Sequence, residues 1–146
     1  MKINTTPIIL LFIITVCSCN IYGQNVEINI SGIKNNKGVI KLAVFTNQQE
    51  FDKESPVTGR AFPKRNVRNG KLKINMKLKP GNYAIALLDD ENEDGQMNYN
   101  FLGLPLEGFG FSNYYTSGMR KPKYSDFNFD VKKGNNKVEI KIRYVL

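Results

Sequence analysis

The pattern of apolar and polar positions is that of strands. In VEINI, Val26, Ile28 and Ile30 share one face, the two-residue period of a half-buried strand. GKLKINMKL (Gly70 to Leu78) is the cleanest case, with Leu72, Ile74, Met76 and Leu78 inward and Lys71, Lys73, Asn75 and Lys77 outward. GVIKLAVFT (Gly38 to Thr46) and YAIALLD (Tyr83 to Asp89) are apolar on both faces, as central strands covered on two sides are. FNFDV (Phe127 to Val131) and KVEIKIRYV (Lys137 to Val145) alternate again. Turns fall between them at KNNKG, KPGN and KKGNN, where glycine, proline and asparagine supply the backbone angles a reversal needs. VTGRAFPKRNV holds a further short strand, and TNQQEFDKES (Thr46 to Ser55) fits one or two helical turns before Pro56. Strands without long helices between them predict antiparallel pairing and an all-β sandwich, immunoglobulin-like or transthyretin-like, of about seven strands.

The first residues read differently. Lys2, an apolar run from Ile8 to Val16 and a small, polar exit have the layout of a secretory signal peptide. The run is too short for a permanent transmembrane span, which needs about 20 residues. Residues 1–23 are therefore expected to be a leader and 24–146 a single β-sandwich domain, secreted or held in the cell envelope of a bacterium. Cleavage after Gly23 gives a soluble product. The alternative exit is lipidation at Cys19 in VCSC, a loose lipobox.

Composition then narrows the chemistry. Both cysteines, Cys17 and Cys19, lie in the leader, so the domain folds without a disulfide. The chain has no histidine, which excludes Ser-His-Asp and Cys-His catalysis and histidine-ligated metals. The formal charge is +8, or +7 once Lys2 leaves with the leader. Lysines on outer strand faces guard against edge-to-edge association, or form a cationic scaffold for an anionic polysaccharide. Nucleic acid is not expected, because the residues alternating with the lysines are aliphatic rather than exposed aromatics.

Against this basic background, DDENEDGQMN (Asp89 to Asn98) carries five acidic residues. Asp90, Asn92 and Asp94 alternate and Gly95 follows, the opening of a calcium loop in which alternate side chains turn toward one centre. The Gln96 carbonyl and Asn98 extend the candidate ligand set. The twelfth loop position, where an EF-hand places a bidentate glutamate, is Phe101. A calcium site here is therefore a weaker one, of about 10⁻⁴–10⁻³ M, with Asp89, Glu93 or Glu107 as completing ligands. A hydrated acidic turn accounts for the same residues without an ion. The segment beyond, NYNFLGLPLEGFGFSN (Asn98 to Asn113), is too irregular for a strand and too apolar for a flexible linker. Tyr99, Phe101, Phe109 and Phe111, with Glu107, either cap the core or form a surface for a glycan or an envelope-protein partner.

The acidic loop followed by NFLGLPLEGFGFS resembles a bacterial secreted family, domain of unknown function 2141. The motif falls on Asp90, Asn92, Asp94, Gly95, Asn100 to Gly103, Pro105, Glu107, Gly108, Gly110, Phe111 and Ser112, and the likeness runs from about Val26 to Tyr144. The family pattern carries an Asp where this chain has Asn98, one carboxylate fewer for an ion. It also tends to carry a His just before the acidic loop, where this chain has Leu88 or Asp89. The resemblance implies a secreted β-sandwich and no particular activity. The expected function is thus a non-enzymatic binding module, possible calcium in its acidic loop included. The alternatives are a hydrolase working through Asp90 and Glu107, since two carboxyl groups suffice for glycoside cleavage, and the cationic scaffold.

Overall fold

The computed structural model describes residues 23–118 and 120–146. The segment expected to be a leader, apart from Gly23, and with it Cys19, lies outside the described residues. Among these, no helix is long and apolar enough to cross a membrane.

Among the described residues eight strands form two layers. One sheet has the order β4-β1-β8, from β1 (Gln24–Ser31), β4 (Lys71–Leu78) and β8 (Asn136–Lys141). The other has β2 (Val39–Phe45), β3 (Thr58–Pro63), β5 (Gly81–Asp90), β6 (Gly108–Phe111) and β7 (Asn128–Val131). In β4 burial alternates residue by residue, with all four lysine and asparagine positions exposed. Between the layers sits an aliphatic core that includes Val26, Ile28, Ile40, Leu42, Ile85 and Val138. The outer face of the larger sheet carries a second, aromatic cluster of Phe45, Phe51, Phe111 and Phe127. Two short helices supply part of it: α1 (Gln48–Asp52), capped by the Asn47 side chain, buries Phe51, and α2 (Tyr124–Phe127) buries Phe127.

Two features depart from the sequence expectation. First, β1 and β8 pair in parallel, while every other strand pairing is antiparallel. A parallel pair needs a long connection, and here most of the domain lies between the two strands. Second, β6 arises inside the segment read as irregular. Its Gly108 and Gly110 face inward, where an added Cβ would lie 2.7 Å from Ile142 Cγ2 and Ile140 Cγ2 respectively. Phe109 and Phe111 face the outer side, Phe111 in the aromatic cluster with Phe109 packed against it.

β5 is ten residues long, and one of its edges is shared by two strands in succession: β7 pairs with residues 81–84 and β6 with residues 86–89. Ile85 falls at the junction. The buried Ser112 hydroxyl accepts the Ile85 N–H at 2.9 Å and donates to the Phe127 carbonyl at 2.5 Å. Ser112→Ala leaves both backbone groups without that partner. The expected loss is about 2–3 kcal/mol of stability, since each orphaned buried group costs ~1–3 kcal/mol. Urea unfolding measures it, and a loss below ~0.5 kcal/mol would show the hydroxyl to be dispensable.

The lysine face is the outer side of the three-stranded sheet. Lys73 meets Glu27 at 3.1 Å and Lys137 meets Glu139 at 3.0 Å, with Asn25, Asn29 and Asn75 hydrogen bonded among them. The charge there is mixed rather than uniformly positive.

Candidate functional site

Strand alternation divides the two aspartates at the end of β5. Asp89 continues the inward phase of Ile85 and Leu87, and Asp90 takes the other face. Beyond Asp90 the chain turns through Glu93 and Gly95, both at positive φ. The loop is tied by its own polar side chains. Asn92 Oδ1 accepts the Asp94 N–H at 3.1 Å and Asp94 Oδ1 accepts the Gln96 N–H at 2.9 Å, the local side-chain-to-backbone bonds that Asn and Asp make in turns. Asp94 Oδ2 accepts from the Nδ2 groups of Asn92 and Asn98, each at 2.9 Å. Asn92, Asp94 and Asn98 therefore converge.

Glu107 reaches in from the chain just before β6. Its carboxylate accepts the Glu91 N–H at 3.2 Å and the Asn98 N–H at 3.3 Å, joining the two ends of the loop. Burial, with the negative charges of Asp90 and Asp94 as lesser causes, pushes its carboxyl above the usual range. Asp94 moves the other way, held below it first by the Gln96 N–H and then by Asn98 and Asn92, with Lys41 contributing. Lys41 Nζ, from β2, donates to the Gly95 carbonyl at 2.8 Å.

Asp90 itself is 1% exposed. Its Oδ2 accepts the Gly95 N–H at 3.0 Å, and its Oδ1 is buried without a hydrogen-bond partner. Among the described residues no three acidic, histidine or cysteine side chains group closely enough to hold a metal by themselves. The oxygens on offer are the Asp90 carboxylate, Asp94, and the amides of Asn92 and Asn98. The Gln96 side chain is exposed, as is Glu93.

Asp89 does not belong to this set. It lies between the sheets, fully buried, in ion contact with Lys64 and accepting a hydrogen bond from the Tyr144 hydroxyl. Lys64 follows β3 in a single 3₁₀ turn and is itself 1% exposed. Desolvation raises the Asp89 carboxyl, opposed by Lys64 and Tyr144, and burial first, then Asp89, raises the Tyr144 hydroxyl. Gly108 pairs with Asp89 across the β5–β6 ladder, and its missing side chain leaves room for the Tyr144 ring. Nothing in RAFPKRNV marks Lys64 as buried. The available signal was the phase of β5, which sends Asp89 inward and so calls for a cation there.

The four aromatics separate into two pairs. Tyr99 is 59% and Phe101 94% exposed, beside the exposed Leu102. They stand on an ordered turn, in which Asn100 Oδ1 accepts the N–H groups of Leu102 and Leu104, both at 2.9 Å. Phe111 is packed among Phe51, Phe109 and Phe127, with ring centroids 5.0–6.3 Å apart, and Phe109 is half-buried.

The acidic turn, the Glu107 clasp, the paired inward glycines and the Ser112 stitch all lie within one stretch that a family model also matches, over residues 28–139. The chain belongs to the family described as uncharacterized protein conserved in bacteria, DUF2141. No match was found among curated proteins or among solved structures. For this DUF2141 member the motif residues thus have separate physical tasks: Glu107 closes the loop, Gly108 and Gly110 admit β8 and Tyr144, and Ser112 ties Ile85 of β5 to Phe127 at the end of α2.

Proposed function

We propose that this DUF2141 protein is a non-enzymatic binding module of the bacterial cell envelope or secreted space, whose acidic loop takes a calcium ion and whose exposed Tyr99–Phe101 turn meets a glycan or protein partner. The observation that carries the reading is Asp90. A buried carboxylate oxygen with no donor is costly, and a cation beside it removes that cost. The Asp94 carboxylate and the Asn92 and Asn98 amides meet in the same loop, oxygen-bearing groups of the kind calcium requires. The leader at residues 1–23 supports export, and the neighbouring turn offers aromatic surface held in a fixed shape.

Calorimetric titration with calcium chloride, read beside a thermal melt, tests this. The expected result is a dissociation constant of about 10⁻⁴–10⁻³ M and a rise of a few degrees in Tm at about 10 mM calcium, since saturation at ten times the dissociation constant stabilises by ~1.4 kcal/mol. Asp90→Asn, and separately the exposed Asp94→Asn, should remove both responses. Neither heat nor a change in Tm at that concentration would refute the ion.

A further inference from the structure

The outer face of the five-stranded sheet is only partly covered. α1 and α2 close the end around Phe45 and Phe127, and the rest of the face is the floor of a groove of about 960 Å³. That volume lies at the upper end of the ~300–1,000 Å³ typical of small-molecule sites. The floor consists of Ala43 from β2, Ala86 and Leu88 from β5, and Phe109 and Phe111 from β6. One wall is built by Met97, Tyr99 and Pro105, from the acidic loop and the turn after it, and the other by Pro56 and Pro122. The alternation of β6 makes this floor: glycine inward lets the strand sit against β8, and phenylalanine outward lines the groove.

Charge is distributed unevenly around it. Four basic residues, Lys41, Arg60, Arg120 and Lys121, line the groove, against a single acid, Glu54. Lys121 lies 3.6 Å from Glu54 and over the Phe51 ring. Lys41 Nζ donates to the Gly95 carbonyl. Arg120 is exposed and has no ion pair or hydrogen bond among the described residues. An apolar trough with an excess of positive charge around it fits a ligand whose body is apolar and whose end is anionic.

The floor also limits what the body can be. It is the face of a sheet, so its backbone N–H and C=O groups are engaged in the β2–β5 and β5–β6 ladders and have nothing to offer a peptide backbone. The floor side chains are methyl, isobutyl and phenyl groups, which supply no hydrogen bonds for the hydroxyls of a sugar. An alkyl chain asks for neither. Arg120, as a planar fork, suits a carboxylate head in particular. We infer that the groove binds a long-chain fatty acid, with its alkyl chain along Ala43, Ala86 and Phe109 and its carboxylate at Arg120 and Lys121. The groove borders the proposed calcium loop, which lends it Gly95, Gln96 and Met97, but the residues assigned to the fatty acid lie outside that loop.

The test uses hexadecanoate in calcium-free buffer with chelator present, so that its outcome is independent of the ion reading. Native mass spectrometry and calorimetry should give a one-to-one complex. Hexadecanol, with the same chain and no charge, should bind about tenfold more weakly or less well still, a difference of ~1.4 kcal/mol. The double variant Arg120→Gln/Lys121→Gln should lose a similar factor for hexadecanoate. Lys73→Gln/Lys77→Gln, on the opposite sheet, should bind as the parent does. The inference is overturned by the lack of a one-to-one complex, by equal binding of acid and alcohol, by indifference to the Arg120 and Lys121 changes, or by association confined to phosphatidylglycerol vesicles.

Discussion

Replacing Lys64 by methionine is expected to destabilise the domain by about 3–5 kcal/mol, the cost of leaving a buried charge without its counterion. Asp89 is fully buried between the sheets, and its other hydrogen-bonding neighbour is the neutral Tyr144 hydroxyl. A single hydroxyl does not replace an ammonium for a carboxylate that desolvation already disfavours. The double variant Lys64→Met/Asp89→Leu should recover at least half of the loss, because apolar replacement of a whole buried pair is often neutral or favourable. Tyr144 would still accept the Lys34 N–H at 3.2 Å but would lack an acceptor of its own, which keeps the recovery incomplete. Urea denaturation of the three proteins gives the cycle. If the single variant loses less than ~1 kcal/mol, or the double variant is worse than the single, the pair does not carry the weight assigned to it.

Gly38→Ala should be at least as damaging, at about 4 kcal/mol or more, which places it among the exceptional single substitutions. Gly38 has φ +68°, and a methyl there would fall on the Asp90 carbonyl oxygen and come within 2.7 Å of Glu91 Cα. Both obstacles are backbone, at the point where β5 passes into the acidic loop, so neither can swing aside. Gly103 is the control. Its φ is +74°, with nothing within 4 Å of an added methyl, so Gly103→Ala should cost only the left-handed penalty of ~1–2 kcal/mol. Thermal melts of the two variants separate strain from collision. Equal losses would mean that the loop gives way at Asp90.

The contrast between these glycines illustrates what a sequence reveals and what it hides. β4 was legible because Leu72, Ile74, Met76 and Leu78 alternate with solvated residues, a pattern any single strand carries by itself. The short helical turn before Pro56 and the acidic loop were legible because their bonds are local, as where Asn92 and Asp94 bond to backbone groups two residues away. β6 was hidden because glycine, depleted in strands, occupies the positions that would have shown the alternation. Its reason lies in Ile140, Ile142 and Tyr144, some thirty residues downstream. Lys64 was hidden in a run of basic residues, its partner distant in sequence. The five acids read as one cluster, yet the two-residue period separates Asp89 from Asp90 and leaves only the latter in the loop.

The parallel pairing of β1 with β8 has a consequence for how the domain is made. Val26 and Asn136, partners in that ladder, stand 110 positions apart (136 − 26). The three-stranded layer cannot be completed until nearly the whole polypeptide has left the ribosome, and so high a contact order implies assembly on the millisecond-to-second scale. Until then one edge of β1 lacks its β8 partner, and the layer stands as the β4–β1 pair alone.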